Sequence, residues 1–358
     1  MQKMRTAEEL IRIAQRAGAS DVHLAVGAPP KYRISGELKN MSEEDPNLTR
    51  EMCEELALQL VGEDAYEGIR TMGELDTAKT VCGVRCRLNL FRQQGNMSIA
   101  IRLLKNKVPP MKSLGLPDIV QTFSDMKRGL IIISGDTGSG KSTTIASLID
   151  KIAAERPVHI ITLEDPIEYV YKSDIALVNQ REIGMDTKDF SSGVRSILRE
   201  DPDVIMIGEM RDMETISCAI RAAETGHLVL ATLHARSAAD AVDRMVDIYP
   251  DIQQAQIRLQ LAACLNAVVE QQLLEGMDTK YVLASEVMMM TPAIRTLVRE
   301  GKTHQIDNAI RMGAREGCSS MDSCLIYLCK SARISKTTCI AAAYDQDYVK
   351  KTILGGVQ

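Results

Sequence analysis

The sequence predicts an α/β protein in two parts. A small α/β domain on an antiparallel sheet comes first, then a larger α/β core with a helical C-terminal part. Three observations predict this. The first is Gly135-Asp136-Thr137-Gly138-Ser139-Gly140-Lys141-Ser142-Thr143, which fits the phosphate-loop pattern G-x-x-x-x-G-K-[ST] at every fixed position. It follows the apolar run Leu130-Ile131-Ile132-Ile133 and precedes the helical pattern Thr144 to Ile149, the strand–loop–helix setting such a loop needs. The second is a series of later apolar runs, His159 to Leu163, Val204 to Ile207 and Leu228 to Leu233, with helical patterns such as Ser191 to Leu198 and Glu214 to Glu224 between them. Continuous β-branched runs separated by helices predict a parallel sheet covered on both faces. The third is the alternation of Val84, Cys86, Leu88 and Leu90 and of Ile99, Ile101 and Leu103 about the spacer Gln93-Gln94-Gly95-Asn96, which predicts a hairpin.

In chain order, Thr6 and Glu9 make a capping box, and Leu10, Ile11, Ala14 and Ala17 form a helical stripe stopped by Gly18. Val22, Leu24 and Val26 alternate as a strand until Pro29-Pro30. Tyr32 and Ile34 continue to a turn at Ser35-Gly36, and Leu48 to Leu60 reads as a helix closed by Gly62. The expected N-terminal domain spans residues 1–108. Pro109-Pro110 opens a stiff linker over 109–117. The core then runs over 118–358, beginning with a short helix at 118–128. Beyond Ser237 the pattern is helical apart from a strand at Tyr281 to Val287.

The chain of 358 residues is 45% hydrophobic and 25% charged, an ordinary globular composition. Its net charge of -5 argues against nucleic acid as the main partner, since phosphate backbones call for a basic footprint. The nine cysteines include no C-x-x-C pair, so neither a zinc site nor a disulfide framework is expected, and reduced thiols suit a cytoplasmic protein. The start Met1-Gln2-Lys3-Met4-Arg5 leads into an amphipathic pattern, so no signal peptide is expected. No apolar run reaches the ~18 residues of a membrane span.

Ligands of doubly wound folds sit at the carboxyl ends of the strands. Gly135, Thr137, Gly138, Ser139, Gly140, Lys141, Ser142 and Thr143 are therefore the expected phosphate-binding residues. Glycines let the backbone form an anion nest, and the helix that follows adds its positive end. Lys141 reaches the terminal phosphates of ATP, and the Ser142 hydroxyl is a ligand for Mg²⁺. The other strand ends carry Glu164, Glu209 and His234. If the strands are adjacent, these converge on the nucleotide as a carboxylate-rich site with one imidazole, suited to Mg²⁺ and to activating water. Glu209 ends an element of Walker B type with a Gly208-Glu209 departure, and is a candidate for orienting Mg²⁺-bound water or acting as general base. Glu164 competes for the role of base. His234 is the better of two histidines for sensing the terminal phosphate, and His227 reads as packing. Arg85 and Arg87 share a strand face beside Arg102, which by itself reads as a solvated face.

Four blocks together resemble the secretion-superfamily ATPases: the phosphate loop, the acidic stretch Ile161 to Tyr169, Leu198 to Asp212, and Thr225 to His234. Within that superfamily the chain is similar to the PilT-like twitching-motility ATPases that retract type IV pili. That similarity rests on Ala293-Ile294-Arg295-Thr296-Leu297-Val298-Arg299-Glu300 and on Gly18 to Leu24. The resemblance implies a homo-hexameric ring of two-domain subunits, with a PAS-like N-terminal domain and a RecA-like ATPase core. It implies N-terminal arginines on the phosphates, which map to Arg87 and Arg102, with Arg85 and Arg92 as further candidates. It also implies ATP-driven pilin disassembly at the cytoplasmic face of the inner membrane, with a pilus platform protein and a paralogous retraction ATPase as partners. Asp136 departs from the proline common in the family. The stripe Ile294, Leu297 and Val298 reads either as an ordinary surface helix or as a coupling surface for a partner. The rival readings are pilus extension or secretion with the same engine, and a regulatory module of low turnover.

Overall fold

The computed structural model describes residues 5–34, 36–104 and 107–355. Residues 1–4 and Ser35 of the expected turn lie outside them. The chain divides into two compact units, each described by itself: Met1–Lys107 with Pro166–Val170, and Val108–Asp165 with Tyr171–Gln358.

The first unit contains α1 (Ala7–Arg16), β1 (Asp21–Ala25), β2 (Lys31–Ile34), β3 (Glu37–Asn40), α2 (Arg50–Val61), α3 (Glu63–Met72), β4 (Glu74–Val81), β5 (Val84–Gln93) and β6 (Asn96–Leu103). The Thr6–Glu9 capping box starts α1, with the Thr6 amide donating to the Glu9 carboxylate at 2.8 Å. The sheet runs β3-β2-β1-β6-β5-β4 and every pairing is antiparallel. The expected hairpin is present. Gln94 and Gly95 both take positive φ (50° and 76°), the geometry of a two-residue turn matching strand twist. Leu10, Ile11, Leu56, Leu88 and Ile99 fill the core between helices and sheet. The Pro166–Val170 segment is held by Arg85, whose Nε donates to the Ile167 carbonyl at 3.0 Å.

The second unit contains α4 (Asp118–Gln121), β7 (Gly129–Gly135), α5 (Lys141–Glu155), β8 (His159–Glu164), β9 (Leu177–Glu182), α6 (Phe190–Ile197), β10 (Val204–Ile207), α7 (Met213–Glu224), β11 (Leu228–Leu233), α8 (Ala238–Asp247), α9 (Asp251–Cys264), β12 (Leu265–Glu275), β13 (Tyr281–Met289), α10 (Pro292–Glu300), α11 (Ile306–Met312), α12 (Met321–Lys330), α13 (Lys336–Ala342) and α14 (Gln346–Leu354). Its sheet runs β13-β12-β7-β11-β10-β8-β9. All pairings are parallel except that of β12 with β13, which puts an antiparallel strand on one edge. Every residue of β7 is buried, as a strand covered on both faces requires. This is a RecA-like α/β core with a helical C-terminal layer.

Two expectations are corrected, for residues 265–275 and for 118–128. Residues 265–275, read from sequence as helical, form β12, which pairs with β7 directly behind the phosphate loop. The Val268-Val269 pair and burial on both faces decide for strand over helix. The helix expected at 118–128 is only Asp118–Gln121 followed by a 3₁₀ turn over Thr122–Asp125. The apolar stripe of α10 is consumed by the unit's own core. Ile294 and Val298 are fully buried, and Arg295 reaches back to the Ala262 carbonyl at the end of α9 at 2.6 Å, so the stripe is not a free coupling surface. Behind the sheet, the buried Glu286 of β13 accepts the first amide of α8, Ala238, at 2.8 Å and the first amide of α12, Met321, at 3.4 Å.

Candidate active site

The second unit's strand order places β7, β11, β10 and β8 side by side, so the loops that follow them share one edge of the sheet. The phosphate loop leaves β7 at Gly135, whose φ is +139°. A Cβ there would lie 2.4 Å from the Gln271 carbonyl and 2.6 Å from Ser139 Oγ, so only glycine fits against β12. Gln271 also donates from Nε2 to Thr144 Oγ1 at 2.8 Å, pinning α5 to the same strand. Thr137, Gly138 and Ser142 are exposed, while Ser139 is buried. Gly140 precedes α5, and Lys141, Ser142 and Thr143 form its first turn. The first turn of a helix points its amides along the axis, which makes this a place for anions. Lys141 Nζ folds onto its own loop, donating to the carbonyls of Gly135 (2.7 Å) and Asp136 (2.9 Å). Burial holds the lysine pKa below its usual value, opposed by the charges of Glu209, Asp136 and Glu270.

Gly208 follows β10, and its amide donates to the Leu163 carbonyl at 2.8 Å. A Cβ at Gly208 would sit 3.0 Å from that same oxygen, which gives the glycine before Glu209 a steric reason. The Glu209 carboxylate is held at both ends. Oε2 accepts from Arg211 at 2.7 Å, and Oε1 lies 3.3 Å from His234 Nε2. Burial pushes its pKa up, but the hydrogen bond from Arg211 and the charges of Arg211, His234 and Lys141 outweigh it and leave the group below the usual carboxylate value. His234, just past β11, is about 39% exposed and free to meet a ligand. One strand further, Glu164 ends β8 and is buried. Its Oε1 accepts from Thr162 at 2.6 Å and from Gln180 of β9 at 3.0 Å.

Of the residues expected from sequence, Lys141, Glu209 and His234 are thus one electrostatically linked group, with Glu164 at the neighbouring strand end. Arg87 and Arg102 lie in the first unit as cross-strand partners on β5 and β6. Arg87 forks onto Asp76 (3.2 and 2.5 Å), and Arg102 pairs with Asp21 at 3.1 Å. His227 makes a local hydrogen bond, with Nδ1 2.9 Å from the Ala222 carbonyl. Sequence reading assigned no role to Arg211, Gln180 or Gln271. Arg211 sits two residues from Glu209, and that spacing was a usable signal. Gln271 was hidden inside a segment read as helix.

Comparison with known proteins gives the family of the chain. The family model described as type II/IV secretion system protein matches residues 3–343. The chain is 41% identical over 329 residues to the type IV pilus retraction ATPase PilT of Pseudomonas aeruginosa, covering 92% of this chain and 95% of that one. It is 42% identical over 311 residues to the uncharacterized protein YggR of Escherichia coli, covering 87% and 94%. Among solved structures it is similar to the crystal structure of the pilus retraction motor PilT with bound ADP, with a TM-score of 0.92, 42% identity and coverage of 97% of this chain and 99% of that chain. Fold, strand-end chemistry and near full-length similarity converge, and the chain belongs to the type II/IV secretion system protein family.

Proposed function

We propose that this protein is an ATP-hydrolysing motor that powers type IV pilus retraction, acting as a homo-hexamer at the cytoplasmic face of the inner membrane on a pilus platform protein. The observation that carries the ATPase part is the group Lys141, Glu209 and His234 on adjacent strand ends. A cation for the terminal phosphates, an ionised carboxylate and an imidazole meet there. The cargo is supported by similarity to a pilus retraction ATPase over most of both chains. No helix among the described residues is long and apolar enough to cross a membrane, so membrane contact in this reading is peripheral, and a paralogous retraction ATPase is a further partner.

In this reading Gly135 to Thr143 bind the phosphate chain of ATP through backbone amides. Lys141 exchanges its two carbonyl partners for phosphate oxygens. Ser142 and Glu209 offer only hard oxygen donors, a set that fits Mg²⁺. When bound, Mg²⁺ supplies neutralisation of the developing phosphate charge. Glu209 aligns water and takes its proton, with Glu164 as the alternative base, and His234 contacts the terminal phosphate. Arg87 and Arg102 are held by carboxylates for which a phosphate is a competitor, and they act as phosphate-contacting cations in the assembled ring. The test is Lys141→Ala in the purified protein. ATP turnover should be lost with the melting temperature kept, and persistent hydrolysis would sink the site assignment.

A further inference from the structure

The C-terminal layer meets the wall behind the phosphate loop through one phenol. A cavity of about 690 Å³ beside the loop is lined by Asp136 to Ser139, by Glu270 on β12 and by Tyr344 between α13 and α14. The Tyr344 hydroxyl faces the Arg236 carbonyl and, at 3.0 Å, Glu270 Oε2. Its backbone amide is held by Asp322 Oδ1 at 2.8 Å, and Asp322 is clamped by Arg311 at 3.1 Å. Glu270 is only 2% exposed and is in register with Ser134, the residue before Gly135.

Counting protons gives the chemical consequence. A phenol has one proton to donate. The hydroxyl is placed to donate either to the Arg236 carbonyl or to Glu270. Both contacts are hydrogen bonds at once only if the carboxyl carries a proton and donates to the phenol oxygen while the phenol donates to the carbonyl; an ionised carboxylate leaves two acceptors competing for one donor. We propose that Glu270 is a positioning residue that is protonated in the resting ATPase core, and that with Tyr344 it forms a latch whose ionisation puts a negative charge behind the phosphate loop and weakens nucleotide binding.

Among the groups that bear on Glu270, those favouring the neutral acid outweigh the rest. Burial acts most strongly, and the carboxylates of Glu286 and Asp136 add to it, against the Tyr344 hydroxyl and the Lys141 charge. Together they push Glu270 up to about 8. Asp307 and Arg236 line the same cavity. Below that value the carboxyl is neutral. Above it, a charge appears beside Lys141 and the bound phosphates.

This inference rests on nucleotide binding at the phosphate loop, and the test separates the two. MgADP affinity is measured from pH 7.5 to 9, a range above the ionisation of the ADP phosphate, for the wild type, Glu270→Gln and Tyr344→Phe. The glutamine amide mimics the protonated acid. We expect wild-type Kd to rise at least threefold across the range, while Glu270→Gln binds like the wild type at pH 7.5 and loses less than half as much at pH 9. Tyr344→Phe, which keeps the ring, should speed amide exchange over Ala341–Leu354 at pH 7.5, and Glu270→Gln should not. A pH profile in Glu270→Gln that overlays the wild type overturns the proposal alone, as does unchanged exchange in Tyr344→Phe. Absence of MgADP binding by the wild type overturns the nucleotide reading and this proposal with it.

Discussion

Arg211→Ala tests which carboxylate takes the proton from water. The substitution removes the 2.7 Å contact on Glu209 Oε2 and leaves His234 and Lys141 as its positive neighbours. A hydrogen bond to a charged group is worth ~1.5–3 kcal/mol when shielded. The Arg211 side chain is 68% exposed, however, so solvent screening brings its contribution to ~1 kcal/mol, the upper end for exposed pairs. At 1.36 kcal/mol per unit, that is ~0.7 of a pKa unit. The direction is upward, because the burial of Glu209 favours the neutral acid. With Glu209 as base, the acidic limb of the kcat/KM profile moves up by ~0.7 units, and Arg211→Lys moves it by roughly half as much, since a point charge replaces a planar fork. Steady-state ATPase rates between pH 5 and 9 read this directly. An acidic limb that stays in place in Arg211→Ala refutes Glu209 as the base. The role then passes to Glu164, whose carboxylate is held by Thr162 and Gln180.

Three further outcomes are expected. Gly135→Ala should lower ADP affinity by roughly tenfold or more, because the new Cβ collides with the Gln271 carbonyl at a positive φ that L-residues rarely adopt; equilibrium titration checks it. Glu270 and Glu286 have folded pKa values raised to about 8 and about 7, so between the unfolded value near 4.5 and those limits the folded state holds more protons than the unfolded one. Stability from these groups is therefore full below ~4.5 and falls as pH rises through 7 to 8. Melting curves of Glu270→Gln should show a shallower decline from pH 6 to 9, and an unchanged slope would contradict the buried-acid argument. Arg295→Ala should cost ~1–2 kcal/mol in denaturant unfolding, because it strips the cap from the Ala262 and Ala263 carbonyls at the end of α9.

Much of the fold was legible because its signals are local. The loop at 135–143 sits in its required strand and helix, the Gln93–Asn96 spacer forces a tight turn, and Thr6 and Glu9 announce α1. β12 was not legible. Its Leu265–Glu275 sequence sets the buried Glu270 and Gln271 directly after its single valine pair, and its strand character comes from β7 and β13 on either side. Strand conformation there is imposed by neighbours that no local window contains. The same limit applied at the site. Glu209 and His234 were visible as strand ends, yet the partner of each carboxylate depends on strand order. Gln180 meets Glu164 only because β9 lies beside β8. Tyr344 meets Glu270 across 74 residues of chain.

Glu286 has a consequence for the order in which the second unit assembles. One buried carboxylate receives the leading amides of two helices, one 48 residues earlier in the chain and one 35 residues later. Neither helix start finds its acceptor until β13 has paired with β12, and pairings of that sequence separation close slowly. The starts of α8 and α12 are therefore expected to be fixed only once the strand that carries Glu286 is in place. In pulsed hydrogen exchange during refolding, protection should arrive in β7, β10 and β11 before it reaches Met321–Lys330.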